Sequence, residues 1–187
     1  MDHQYAVRPV RPDEWPRARE LRLAALRDPA APVAFLETYE DAAARPDSFW
    51  RERVSGTSGR LRSRQFVAEG EHGVWAGSVT VLVEEAGTED FFGGEIAQRQ
   101  GHLVAVYVRP EHRGSGGATA ALFEAAVGWA WSLEGLERVR LFVHEANPRA
   151  QAFYRRFGFV RSGVTVPVPE DPSAREYELV LRRPERQ

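Results

Sequence analysis

VAVYVRPEHRGSGGATAALFEAA, residues 104–126, is the stretch on which the fold turns. A β-rich run, GHLVAVYV (101–108), leads into glycines 114, 116 and 117, and a helix over about 118–131 follows. Ala118, Leu122, Ala125 and Trp129 give that helix one apolar stripe. A strand, a glycine turn and a helix in this order make an anion cradle. The N–H groups of the turn and of the first helical turn have no intrahelical partner. The helix dipole adds positive potential there, and glycines let the backbone come close to a phosphate. A pyrophosphate is the natural guest, and a turn that merely reverses the chain is the plain alternative. A dinucleotide fingerprint G-x-G-x-x-G starting at Gly114 and Gly116 needs a third glycine where the chain has Thr119. The next strand also ends in Glu145, about thirty residues on, rather than in an acid ~20 residues on. A P-loop needs a lysine after its glycine, and the chain contains no lysine.

Downstream, VRLFVHEANPRAQAFYRRFGFV (139–160) reads as strand, helix and strand. Asn147 caps the helix and Pro148 suits its first position. The helix runs to Phe157, and Gly158 supplies the stop. The chain closes with FVRSGVTV and REYELVL, two strands joined by a proline-rich loop PVPEDPS (167–173).

Upstream, residues 5–10 alternate like a strand, and Pro12 with a capping Asp13 opens a helix bearing Trp15, Ala18, Leu21 and Ala25. Asp28-Pro29 ends it. A mixed acidic and alanine-rich stretch follows, then a second helix around Phe49, Trp50 and Val54. RQFVAEG and VWAGSVTVLVEEA, separated by EHG, predict an antiparallel hairpin, and residues 87–100 a loop. The order β, two helices, three strands, helix, strand, helix, two strands predicts a mixed α/β fold.

The 187 residues, 43% hydrophobic and without repeats or a dividing linker, suit a single domain over 1–187. A net charge of -2 argues against nucleic-acid binding through phosphates. All 25 basic residues are arginine, as a GC-rich genome would give. Without cysteine there is no disulfide, thiol nucleophile or acyl-cysteine relay, and five scattered histidines do not read as a metal site. The polar N-terminus and the lack of a ~20-residue apolar run favour a cytoplasmic bacterial protein with no membrane partner.

Arg113-Gly114-Ser115-Gly116-Gly117-Ala118 resembles the R/Q-x-x-G-x-G/A signature of the GNAT superfamily of N-acetyltransferases. Asn147, Ala150, Tyr154, Gly158 and Phe159 resemble its second signature. The resemblance covers nearly the whole chain. It implies a central, mixed, mostly antiparallel twisted sheet of about six to seven strands, flanked by about four helices. It implies acetyl-CoA as cosubstrate, its pyrophosphate held by the backbone N–H groups of Arg113, Gly114, Ser115, Gly116, Gly117 and Ala118. The backbone of Val106 and Val108 would take the pantetheine arm as an added strand, and Asn147 would add a hydrogen bond to it. The acceptor would be an amine of a small molecule or peptide, and a homodimer is compatible with the family.

Aminolysis of a thioester expels a thiolate, which needs a proton or a strong hydrogen bond as it leaves. A phenol of pKa near ~10 can supply it to a sulfur of pKa about 8.5. The resemblance gives that role to Tyr154, whose other reading is core packing with Ala150, Phe153 and Phe157. The amine must lose a proton before it attacks. The family's commonest base position, two residues before His102, holds Gln100. His102 is therefore the first choice, on a face shared with Val104, Val106 and Val108 if the strand alternates. Glu84 is the second, and Glu37 and Glu40, in a region that resembles an acceptor cover, are candidate ligands for a cationic acceptor. His144 and Glu145 are placed to line the cleft, whereas His3, His72 and His112 show no partner pattern. A non-catalytic acyl-CoA sensor or regulatory module is the competing function.

Overall fold

The computed structural model describes residues 4–58, 61–114 and 117–185. Seven strands, β1 (Ala6–Pro9), β3 (Leu61–Glu69), β4 (Trp75–Glu84), β5 (Gln100–Val108), β6 (Arg138–His144), β7 (Val160–Val168) and β8 (Asp171–Arg182), form one sheet. Their spatial order is β1-β3-β4-β5-β6-β8-β7, and a two-residue strand β2 (Thr57–Ser58) adds to β3 outside that path. Every pairing is antiparallel except β5 with β6. This is the mixed, mostly antiparallel sheet expected.

The four expected helices are α1 (Trp15–Leu26), α4 (Asp47–Val54), α5 (Ala118–Ser132) and α6 (Pro148–Phe157). The mixed stretch between the first two folds into two short helices, α2 (Ala31–Ala34) and α3 (Tyr39–Ala43). No helix among the described residues is long and apolar enough to cross a membrane.

The sheet is covered on both faces. On one, Val79, Val81 and Val83 of β4, Val139, Leu141 and Val143 of β6, and Leu103 and Val108 of β5 bury against α5 and Tyr154 of α6. On the other, Val67, Trp75 and Tyr107 bury against Ala18, Leu21 and Ala25 of α1 and Val54 of α4. The buried side of α5 is broader than a single stripe. Ala121, Phe123, Ala126, Val127 and Ala130 are buried with Ala118 and Leu122, while Ala125 and Trp129 stay half-buried. A helix packed on a wide twisted sheet presents more than one row of side chains to it.

Two local expectations change. Asp13 is exposed and caps nothing; the neighbouring Glu14 accepts the Arg11 backbone N–H at 2.8 Å and holds Arg8 through both carboxylate oxygens. The proline-rich loop shrinks to two residues, because Pro167 pairs with Arg175 and Val168 with Asp171. Proline is tolerated there because β7 is an edge strand, where a missing donor leaves no ladder partner unsatisfied. Asn147 and Gly158 serve as read: Asn147 Oδ1 accepts the Ala150 N–H at 3.2 Å, and Gly158 ends α6 at φ +120°.

Candidate active site

The site begins where β5 and β6 part. They register only at Gly101 with Val139 and His102 with Arg140. Beyond those pairs the two parallel strands splay, and the edge of β5 that faces β6 is left without a strand partner. The Arg109 N–H donates to the Ala76 carbonyl of β4 at 2.7 Å, so the Val108 carbonyl, across the same peptide plane, faces the open side. By alternation the N–H and C=O of Val106 face it too. These are the two residues expected to receive an extended arm. The Val108 carbonyl, however, already accepts from Arg113 Nε at 2.8 Å, which leaves its N–H and both groups of Val106 for a ligand.

A bulge shapes the strand. Thr80 pairs with Val104 but Ser78 pairs with Tyr107, so β5 carries one extra residue, and Ala105 takes up the turn at φ +54°. The bulge reverses the alternation that sequence reading assumed. His102 shares a face with Val104; Val106 and Val108 point to the opposite, α5-covered face. Gly77, paired with Val108 just past the bulge, has no room for a side chain: a Cβ would lie 2.4 Å from the Tyr107 carbonyl oxygen.

The open edge runs into the glycine turn. Gly114 and Gly117 have φ of +94° and +71°, and among the described residues no atom beyond their chain neighbours stands within 4 Å of where a Cβ would be. The Gly117 carbonyl accepts from Ala121 and starts α5, so the first N–H groups of that helix point into the cleft mouth. Ser115 and Gly116 lie outside the described residues. Arg113 departs from expectation, since its backbone N–H donates to the Pro110 carbonyl at 3.2 Å and is not free for a phosphate. Its guanidinium reaches Asp28 at 2.5 Å, tying the turn to the end of α1. His112, without a partner in sequence terms, meets the Tyr5 hydroxyl at 3.0 Å.

Splayed edge, turn and helices enclose a cleft of about 1020 Å³. His102, Glu84, Glu37, Asn147 and Tyr154 all line it, as do Gly114, Gly117 and Ala118. Glu40 is exposed and stands outside the cleft wall, and Glu145 is spent on the Arg175 backbone N–H. Glu37 is held by Arg22 at 3.1 and 3.2 Å, so its charge is already answered and a cationic acceptor gains little there.

Tyr154 enters from the α5 side. Its ring stacks on Phe123 with centroids 5.5 Å apart and meets Phe153 and Phe159 edge-on. Its hydroxyl makes no hydrogen bond to any other described residue. Burial pushes its pKa well above the ordinary phenol value, so the proton stays on oxygen throughout the working pH range.

His102 enters from the other face. It is buried, edge-on to Phe142, with Nδ1 3.4 Å from Glu84 Oε2. Glu84, read as a base or acceptor ligand at a hairpin end, is instead engaged inside the protein. It is buried, and both its oxygens accept from Arg140 at 2.9 Å. Although burial opposes ionisation, hydrogen bonds from His102 and Arg140 hold its pKa down at about 2, too weak a base to deprotonate an amine. Arg140 is itself buried and also donates to Glu178 and to Asp90, each at 2.9 Å. Arg138 bonds the other Glu178 oxygen and Gln100. Three carboxylates and two guanidiniums thus form the floor beneath His102.

Sequence reading missed this floor and one further wall residue. Glu176 lines the cleft opposite His144 on β8, has no hydrogen bond or ion pair among the described residues, and is pushed up in pKa by burial. The signal was present: Arg138 and Arg140, then Glu176 and Glu178, alternate with apolar residues inside strands, a pattern that turns charge toward one face of a covered sheet. His144 Nδ1 accepts the Ala146 N–H at 3.0 Å, so its neutral form carries the proton on Nε2.

A mixed sheet whose central parallel pair splays beside an open amide edge and a glycine turn defines the class of fold. The acetyltransferase (GNAT) family profile matches residues 15–159, and the chain belongs to that family. Solved structures share the fold along the whole chain. A GCN5-related N-acetyltransferase from Kribbella flavida aligns with a TM-score of 0.68 at 19% identity, over 98% of this chain and 100% of that one. Arabidopsis thaliana NAA60 in complex with a bisubstrate analogue gives 0.66 at 16%, over 95% and 97%. A spermidine N-acetyltransferase from Vibrio cholerae, in complex with CoA and spermine, gives 0.62 at 18%, over 96% and 95%. No curated protein matches the sequence.

Proposed function

We propose that the protein transfers an acetyl group from acetyl-CoA to a primary amine by direct attack of the amine on the thioester. The observation that carries this reading is the continuity of three features in one cleft: the open amide edge at Val106 and Val108, the glycine turn at Gly114 and Gly117, and the side chains of Tyr154 and His102, which line that cleft from opposite faces of the sheet. Acetyl-CoA suits that geometry. The amide edge takes the pantetheine arm and the first N–H groups of α5 take the pyrophosphate. Neighbours of the same fold described with CoA and spermine, and with a bisubstrate analogue, support an amine acceptor.

Attack forms the C–N bond and breaks the C–S bond. His102, oriented through Nδ1 by Glu84, takes the proton that the amine loses. Tyr154 donates its phenolic hydrogen bond, and then its proton, to the departing sulfur. A raised phenol pKa fits that step, because the same dry surroundings raise the affinity of the thiolate for a proton.

Three measurements test the assignment. CoA and acetyl-CoA raise the melting temperature by mass action, while NAD and ATP do so far less; stabilisation by NAD alone overturns the cofactor assignment. Acetyl-CoA with an accepted amine releases free CoA thiol, whereas binding without release leaves an acyl-CoA-binding module. His102→Ala loses most activity at low pH, where the amine is protonated, and regains part of it as pH rises. A loss that is uniform across pH returns the proton transfer to a water chain.

A further inference from the structure

The helical wall of the cleft carries more positive charge than the protein itself answers. Arg22, Arg45 and Arg53 line it together with Glu37 and Asp41. Glu37 is shared, held by Arg22 at 3.1 Å and approached by Arg45 at 3.9 Å. Asp41 is already engaged by its own helix start, accepting from the Thr38 hydroxyl at 2.8 Å. Arg53, near the end of α4, has neither a hydrogen bond nor an ion pair with any other described residue. It is partly buried, and dehydration together with the like charge of Arg22 outweighs the attraction of Glu37 and lowers its pKa to about 10. A guanidinium held away from water beside another guanidinium is costly unless an anion completes the group. On the opposite wall Glu176 has no hydrogen bond or ion pair among the described residues, its nearest charge partners being the imidazoles of His144 and His102.

Resting on the acetyl-transfer reading, we propose that the acceptor is an amine that also carries a carboxylate, with Arg53 receiving that carboxylate while the amine lies toward His102 and Glu176. A guanidinium binds a carboxylate through paired charge-assisted hydrogen bonds, and a second amine cannot replace them. The subsite therefore selects ω-amino acids or similar amino carboxylates over alkylamines, and disfavours polyamines such as the spermine bound in the Vibrio cholerae relative.

The test uses protein saturated with CoA, which cannot transfer an acetyl group, so that binding is read apart from chemistry. Calorimetric titration compares glycine, β-alanine, 4-aminobutyrate and 6-aminohexanoate with alkylamines and diamines of matched length. At least one amino carboxylate is expected to bind about 10–100-fold tighter than its alkylamine counterpart. In Arg53→Gln that advantage falls close to one, and Arg53→Lys regains part of it. Equal binding of both series by the wild type, tighter binding of the diamines, or an advantage retained in Arg53→Gln overturns the proposal. Failure of the protein to bind CoA in the first titration overturns the transferase reading instead. Failure of the carboxylate comparison in CoA-loaded protein overturns only the acceptor class.

Discussion

Tyr154→Phe is expected to lower turnover by about 10²–10⁴-fold, the range over which a positioned general acid contributes. The substitution removes one oxygen and leaves the ring on Phe123, against Phe153 and Phe159. Because the hydroxyl has no partner among the described residues, its loss leaves no orphaned donor or acceptor behind. Stability and CoA affinity therefore stay near wild type while the chemical step suffers. The loss is steepest for a thioester whose thiol is a poor leaving group. Steady-state release of CoA thiol, alongside a melting curve and a CoA titration of the same variant, separates the two roles read for this residue. Turnover close to wild type returns Tyr154 to the core.

Arg140→Met has the largest expected effect on stability. Arg140 is the shared cation of Glu84, Asp90 and Glu178, and its removal takes the guanidinium from three largely buried carboxylates, of which only Glu178 keeps a second one, Arg138. Breaking a buried ion pair from one side typically costs about 3–5 kcal/mol. At roughly 2–4 °C per kcal/mol for a chain of this size, the melting temperature at neutral pH falls by about 6–20 °C.

The sign of the pH dependence distinguishes charge from packing. In the wild type the Glu84 pKa is lowered from 4.5 to about 2. Its contribution to stability is complete above pH 4.5 and is lost as pH falls toward 2. In the variant the stranded carboxylates take up protons more readily than in the unfolded chain, so acid relieves the strain. The stability gap between the two proteins is widest at pH 7 and narrows steadily toward pH 3. Denaturation by urea at both pH values measures it. A gap that stays constant with pH assigns the loss to the missing volume of the guanidinium.

How much of this was legible beforehand depends on how far each feature reaches along the chain. The Asn147 cap needs Ala150, three residues away, and the Gly158 stop needs only its own φ. The turn at 114–117 needs a strand before it and a helix after it. The hairpin of β3 and β4 needs a short polar interruption. Each is written in local chemistry, and each was read correctly. The 3.6-residue repeat places Tyr154 on the face shared with Ala150 and Phe157, which by itself reads as core; only the resemblance singled out its hydroxyl.

Glu84 shows where that reach ends. It sits 56 residues from Arg140 and 16 from Gln100, and as a charged residue ending a strand it carried no mark of burial. Asp90, in a segment correctly taken as a loop, is 50 residues from the same guanidinium. His102 lines the cleft, but the face it shares was decided by the bulge at Ala105, and one extra residue in a pleated strand exchanges the two faces.

The sequence by itself therefore determined the order of elements, the glycine turn with its helix start, and the cap and stop of α6. Those follow from backbone preference and from periodicities of two and 3.6 residues, which act over a few positions. Tertiary structure alone decided that β5 and β6 part after two registered pairs, that Arg140 draws three carboxylates from three segments, and that Arg53 has no ion pair among the described residues. The reason is that strand register and the partners of a buried charge are set by residues tens of positions apart. Their cost or gain exists only once folding has taken them out of water.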